Sequence, residues 1–331
     1  MTRNRYRHVF GPVPSRRFGR SLGIDLTPFK TCSFDCVFCQ LGHTTNRTAA
    51  RSDYVPIASV IAELDDWLAA GNTADYITLA GSGEPTLHDE FGRVIEWVHQ
   101  ATDIPVALLT NGSLFGDPQV RCQAAGADVV KVSLSAWDQD SFERVNRPVS
   151  GLCFDAVVAG QRRFREQFDG CLWVEVFLLR GVNDAPADVA RIADRARWIG
   201  PDRVQLNTVV RPPCEDTARP VPRARLLELA PLFEPQAEII AEFRGKSSGT
   251  RATETEILNM LERRPCTLAE IGQVFGLHRN EVSKYLGKLT RTGRVVLQRA
   301  AEETYYRAAS DSGAVEPSAR PGTFDPRIPP Y

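Results

Sequence analysis

Three cysteines crowd into eight residues, Cys32-Ser-Phe-Asp-Cys36-Val-Phe-Cys39. Thiolates separated by three and by two intervening residues can converge from one loop onto one metal centre, which makes iron–sulfur ligation the first chemistry to consider. With only three protein ligands, a cubane of four irons keeps one iron open to a small molecule. Zinc is the competing metal, because His43 would complete a Cys₃His set. Structural zinc, however, tends to staple small domains without a core, and these spacings are tight for a finger. Plain hydrophobic packing is a poor account of three thiols interleaved with Ser33 and Asp35. Cys122, Cys153, Cys171, Cys214 and Cys266 are scattered and form no second pair, so they are expected to be structural.

The elements that must position this loop follow from hydrophobic period. Short apolar runs at residues 21–26, 76–80, 106–110, 128–135, 172–178 and 203–207 alternate with amphipathic stretches such as 57–70, 91–100 and 187–199. This rhythm predicts parallel strands with crossover helices. Along the strands, Val130, Val132 and Leu134 alternate with Lys131, Ser133 and Ser135; Val174 and Val176 flank Glu175; Val204 and Leu206 alternate with Gln205 and Asn207. A closed eight-fold barrel fills its interior with branched apolar side chains. A repeatedly polar face predicts instead a partial (β/α)6 TIM-like barrel whose concave side holds a polar ligand. The cysteines follow the first strand, at the carboxyl end where such sheets bind ligands.

Lys131, Glu175, Gln205 and Asn207 share that concave face and are candidate substrate contacts, together with Asn183 in the 181–184 loop. Lys131 and Glu175 are also able to neutralise one another, since a buried charge needs a partner. Arg147 and Arg211 are candidates for gripping an anionic group.

The 331 residues comprise 43% hydrophobic and 24% charged residues, with 40 Lys+Arg against 41 Asp+Glu and a formal charge of -1. These values fit a folded globular chain and exclude a global field that would recruit nucleic acid or an anionic membrane. No run of ~18 apolar residues and no apolar leader is present, so a cytoplasmic protein without membrane association is expected. The first 20 residues hold six arginines and no acid, which reads as a basic, solvated arm (1–20) before the barrel (21–244). Residues 245–250 have linker composition. Residues 251–308 read as a winged helix-turn-helix domain: two capping boxes, Thr253 with Glu256 and Thr267 with Glu270, start helices, and a third helix precedes a hairpin. Ten basic against seven acidic residues give this module a net charge of +3, with Arg279, Lys284 and Lys288 as candidate nucleic-acid contacts. Residues 309–331, with five prolines, are expected to be a disordered tail.

The arrangement Cys32-x₃-Cys36-x-Phe38-Cys39 resembles the radical S-adenosylmethionine (SAM) superfamily. The likeness continues, in strand order, through Gly81-Ser-Gly-Glu84-Pro85, Thr110-Asn111-Gly112 and Val132-Ser-Leu-Ser-Ala136, although Ser82 interrupts the usual adjacent glycines. The resemblance implies an oxidoreductase-type enzyme in which Cys32, Cys36 and Cys39 hold a [4Fe–4S] cluster and SAM binds the fourth iron. Reductive cleavage of SAM would then yield methionine and a 5′-deoxyadenosyl radical that abstracts hydrogen from a substrate such as RNA or a peptide. It implies SAM contacts at Phe38, Gly81, Ser82, Gly83, Glu84, Asn111, Ser133 and Ser135, the glycines allowing close approach for want of a Cβ and the serines bonding ribose or carboxylate. It also implies a one-electron reductant such as flavodoxin or ferredoxin. Phe10-Gly-Pro-Val-Pro-Ser-Arg-Arg17 and Gly181-Val-Asn-Asp184 resemble the subgroup related to wyosine-forming tRNA modification enzymes. Those enzymes carry a second cluster on a Cys-rich extension, whereas no Cys precedes Cys32 here. The non-enzymatic alternative is an iron–sulfur winged-helix transcription regulator sensing redox state or SAM, with nucleic acid or a peptide at the winged helix.

Overall fold

The computed structural model describes residues 6–15, 17–240, 253–300 and 303–309. The expected linker and nearly all of the expected tail lie outside these residues. Strands β1 (Val9–Ser15) and β2 (Gly19–Asp25) lead into the cysteine loop, which carries the two-residue strands β3 (Thr31–Cys32) and β4 (Asn46–Arg47). Then follow α1 (Ile57–Ala69), β5 (Tyr76–Ala80), α2 (Phe91–Ala101), β6 (Val106–Leu109), α3 (Pro118–Ala124) and β7 (Val129–Ser133). The second half runs α4 (Gln139–Val145), α5 (Phe154–Gln167), β8 (Cys171–Leu178), α6 (Pro186–Ile199), β9 (Arg203–Thr208), α7 (Arg223–Leu229) and β10 (Glu238–Ile239).

One sheet has the order β1-β2-β5-β6-β7-β8-β9-β10, and every neighbour pair except β1·β2 is parallel. Six of these strands are the ones read from period; β1 and β10 extend the sheet at its edges. The outward positions Ile24, Leu79, Leu108, Val130, Val174 and Leu206 are fully buried in the same core as the faces of α1, α2, α5 and α6. Burial of this apolar stripe against the sheet is the main stabilising term, at roughly 25 cal/mol per Å².

The inward face has two layers. A small apolar cluster of Phe18, Ala107, Val129 and Trp173 is sealed by Phe18 stacked on Trp173 at 5.1 Å and tilted against Tyr76 at 4.9 Å. The other layer is polar, with Ser21 bonded to Thr78 at 2.5 Å and Lys131 to Glu175 at 2.9 Å.

The reading of residues 1–20 as a solvated arm is corrected. Residues 9–15 are an edge strand, and the backbone N–H groups of Arg7, His8 and Val9 donate to the Glu63 carboxylate on α1. Arg17 turns into the barrel and pairs with Glu175. Prolines 12 and 14 disguised the strand in the sequence; an edge position beside a register shift tolerates them.

The C-terminal residues form α8 (Glu254–Arg263), β11 (Cys266–Thr267), α9 (Leu268–Phe275), α10 (Arg279–Arg291), β12 (Val295–Ala300) and β13 (Glu303–Ala308), with sheet order β11-β13-β12. Both capping boxes read from sequence are formed. A separate core holds this module together, including Ile257, Leu261, Ile271, Val282, Leu286 and Leu289. It docks on the barrel: α8 lies on β1, Arg263 covers the Phe10 ring at 4.1 Å and pairs with Asp25 at 3.0 Å, Arg211 pairs with Glu270 at 2.5 Å, and the Tyr305 hydroxyl donates to the Val210 carbonyl at 3.0 Å. No helix among the described residues is long and apolar enough to cross a membrane.

Candidate active site

The cysteine loop is stapled to the corner between α4 and α5. Asp35 N–H donates to the Asn146 carbonyl at 3.0 Å, Val37 N–H to the Val145 carbonyl at 3.0 Å, and the Phe34 ring meets Phe142 edge-on at 5.1 Å. From the other side the Cys214 thiol donates to the Cys36 and Val37 carbonyls at 3.1 and 3.2 Å. Each sulfur receives a nitrogen donor: Lys30 Nζ to Cys39 at 3.0 Å, Asn146 Nδ2 to Cys36 at 3.4 Å and, more distantly, Asn111 Nδ2 to Cys32 at 3.6 Å.

Burial, reinforced by Glu84, pushes the Cys32 thiol up to about 12, and burial together with Cys32 pushes Cys36 higher still. Thiolates gathered here therefore require positive charge. Burial opposes the charge on Lys30, but Cys39, with Cys32 and Cys36, together outweigh it and raise that ammonium, which supplies one such charge. Among the described residues no three His, Cys, Asp or Glu side chains are close enough to hold a single metal ion. Three thiols on one loop, each with a separate nitrogen donor, suit a multi-iron cluster, whose ligands sit on separate irons. His43, the fourth ligand of the zinc alternative, is half exposed and bonded through Nδ1 to Asp35 at 3.2 Å.

The segment after β5 lies against the cysteine loop. Lys30 N–H donates to the Ser82 carbonyl at 2.7 Å, Glu84 N–H to the Thr31 carbonyl at 3.0 Å, and Ser82 N–H to Asp25 Oδ1 at 2.6 Å. A Cβ at Gly81, whose φ is +115°, would overlap the Asp25 carboxylate, and one at Gly83 would overlap the Thr31 carbonyl oxygen. Close packing of the chain on itself thus already requires these glycines, whatever ligand approaches them. Gly83→Ala is expected to cost roughly 1–3 kcal/mol, because its obstacle is backbone rather than a flexible side chain. A denaturant midpoint equal to wild type would show that the loops are not tightly packed.

Several expected ligand contacts have internal partners. The Glu84 carboxylate is buried and accepts from Thr86 N–H at 3.1 Å, Thr86 Oγ1 at 2.6 Å, Thr110 Oγ1 at 2.6 Å and Asn111 N–H at 2.7 Å, so it clamps the ends of β5 and β6. Asn183 is fully buried; its amide donates to the Ser135 and Phe177 carbonyls and accepts from Leu179 N–H, which corrects its reading as a substrate contact. Ser135 Oγ accepts from Phe177 N–H at 3.2 Å. Phe38 stacks on Phe177 at 4.0 Å, walling one side of the loop. Asn111 bonds Ser33 at 2.8 Å, while Ser133 has only a long 3.5 Å contact from Lys131.

Lys131, Glu175 and Asn207 do come together, in a network that also takes in Arg17 and Gln205. Arg147, at φ +46°, lies apart at the rim, paired with Glu215 at 2.6 Å. Arg211 faces the C-terminal module, as described. Arg279 and Lys284 are exposed on α10, whereas Lys288 is held by Glu254 at 2.5 Å. Of the scattered cysteines, only Cys266 is buried; Cys122, Cys153 and Cys171 are exposed, so packing does not account for them. Sequence reasoning missed Lys30, Arg17, Asp25 and Asn146. Lys30 stood two residues before Cys32, and Arg17 was hidden among surface arginines.

The sequence pattern described as Radical SAM superfamily matches residues 26–193. The chain is 38% identical over 294 residues to a Brachyspira hyodysenteriae protein named GTPase Obg, covering 87% of this chain and 43% of that protein, so it spans less than half of that relative. It is 31% identical over 309 residues to a UPF0026 protein of Helicobacter pylori, covering 91% of this chain and 97% of that one. A solved structure of TYW1 with a lysine-pyruvate adduct bound superposes with a TM-score of 0.51 at 15% identity, covering 66% of this chain and 74% of that chain.

Proposed function

Because the chain belongs to the radical SAM superfamily, we propose that Cys32, Cys36 and Cys39 hold its [4Fe–4S] cluster, that SAM is its co-substrate, and that it abstracts hydrogen from a substrate bound in the barrel. The cluster and SAM, when bound, supply reductive cleavage of a sulfonium, chemistry that belongs to the cofactors rather than to side chains. The protein's part is to hold, orient and exclude water. Lys30, Asn111 and Asn146 direct N–H donors at the sulfurs and so stabilise their thiolate form. Phe38 and Phe177 shield one side.

SAM would lie along Gly81, Ser82, Gly83, Asn111 and Ser133, with Glu84 and Ser135 shaping the loops behind. The Arg17–Glu175–Lys131 network would form a rigid polar floor below the substrate. A one-electron reductant of the flavodoxin or ferredoxin kind would deliver electrons, in the reducing cytoplasm that free thiols favour. The order helix, strand, helix, helix, hairpin in residues 251–308 supports a winged helix, whose exposed Arg279 and Lys284 suit RNA or an acidic peptide. The regulator reading is weaker, because this module is turned toward the barrel chamber through Arg263 and Glu270.

The observation that carries the proposal is the placing of Cys32, Cys36 and Cys39, each half-buried and with its own nitrogen donor, on one loop after β2. Anaerobically reconstituted protein given dithionite and SAM is expected to release methionine and 5′-deoxyadenosine in equal amounts. Protein with a full iron complement and no such products would sink the enzyme reading.

A further inference from the structure

We propose that the junction between the barrel and the C-terminal module binds a phosphoryl group of the substrate, with Arg264 as its principal ligand; this rests on the barrel chamber being the substrate site. Two cavities, of about 960 Å³ and 330 Å³, meet there and share Gln40, Arg263 and Arg264 in their walls. Both open onto the segment after β5, the larger at Ser82 and the smaller at Gly81 and Gly83. The larger one alone is of the size of a small-molecule site.

Charge singles out Arg264. The smaller cavity is walled by Arg17, Arg211, Arg263 and Arg264 and by no carboxylate. Three of these have a partner outside that wall: Arg17 has Glu175, Arg211 has Glu270 and Arg263 has Asp25. Arg264 has no carboxylate within ion-pair distance among the described residues. Its Nε is fully buried with no acceptor, as is that of Arg211. Of its polar neighbours, Cys266 is a weak acceptor and Glu270 is already held by Arg211. The larger cavity adds Arg7 and Arg307. Counting Asp25, Glu175, Glu262 and Glu270, the junction keeps an excess of at least two positive charges.

A guanidinium Nε buried without an acceptor is unfavourable. The planar fork of Arg264 matches the oxygens of a phosphoryl group, and the excess charge suits a dianion better than a single carboxylate. Because Arg264 stands on the C-terminal module, a phosphoryl group there would bridge that module to the barrel. The module would thereby select the substrate.

Inorganic pyrophosphate, titrated calorimetrically into the cluster-loaded full chain at low salt, is the first probe. It is expected to bind wild type and to raise its melting temperature. R264Q should weaken binding at least tenfold, R264K by less, and R291Q on exposed α10 not at all. Wild type that binds no pyrophosphate, or an R264Q protein with native circular dichroism and unchanged affinity, would overturn the proposal. SAM affinity should stay within twofold in R264Q; a tenfold loss would reassign Arg264 to the SAM carboxylate and overturn it too.

Displacement by AMP assigns a free nucleotide, and displacement by a single-stranded RNA 12-mer alone assigns a nucleic acid. Displacement by neither means an adventitious ion only and rejects the substrate role. Wild type that binds pyrophosphate yet cleaves no SAM would remove the enzyme reading while leaving the anion site standing, so the two failures are distinguishable.

Discussion

Protein carrying Cys36→Ala is expected to lose nearly all of its bound iron and sulfide and to form no 5′-deoxyadenosine above background. Cys36 is the central cysteine of the loop, and its sulfur lies against both Cys32 and Asn146. Removing it leaves two thiols, too few to retain a cluster against loss to solvent. The backbone should survive the change, because the loop is held by Asp35 and Val37 N–H bonds and by Cys214 rather than by the Cys36 side chain. Iron and sulfide analysis alongside a denaturation curve separates the outcomes. A variant with wild-type iron content and cleavage would show that Cys36 is not a ligand. Wholesale unfolding would show that the loop depends on this thiol more than its hydrogen bonds indicate.

Glu175→Ala is expected to destabilise the folded chain by about 3–5 kcal/mol, because it strands two cations. Arg17 and Lys131 both pair with this one carboxylate, Asn207 donates to it at 2.8 Å, and the group is almost wholly enclosed. Such a loss is a large part of the roughly 5–15 kcal/mol that holds a domain folded. Burial alone would raise the Glu175 carboxyl, but Arg17 first and Lys131 next hold it well below the usual carboxylate range. Since its folded value is depressed, this group's contribution is complete above the unfolded value near 4.3 and is lost as pH falls toward the folded one. Chemical denaturation across pH 3–7 should therefore show a wild-type loss of stability on the acid side that Glu175→Ala lacks. A variant as stable as wild type, with the same pH slope, would mean that Arg17 and Lys131 find water or other partners.

Much of the barrel was legible because its signal is local. The apolar runs that became β2 and β5 to β9 owe their pattern to one face meeting helices and the other meeting polar groups, which is written in alternate residues. The C-terminal helices were legible for the same reason, their capping boxes spanning three residues each. Strand β1 was not, since its glycine and prolines read as turn and its pairing depends on β2 and on Glu63 far along the chain. Exposure of Cys122, Cys153 and Cys171 was equally invisible, because a lone cysteine carries no period.

By itself the sequence determined the spacing of the three cysteines, the β/α order and the polar inner face, all properties of short spacings. Only the tertiary structure decided what each polar residue does. It turned Glu84 and Asn183 into internal clamps, brought Arg17 to Glu175 across 158 positions, and set Arg263 on Asp25 beneath Ser82. Whether a charge is spent inside the fold or left for a ligand depends on which partners lie within about 3 Å, and chain separation does not encode that distance. Arg263 and Arg264 are neighbours of identical type, and their different surroundings alone give one a carboxylate partner and leave the Nε of the other without an acceptor.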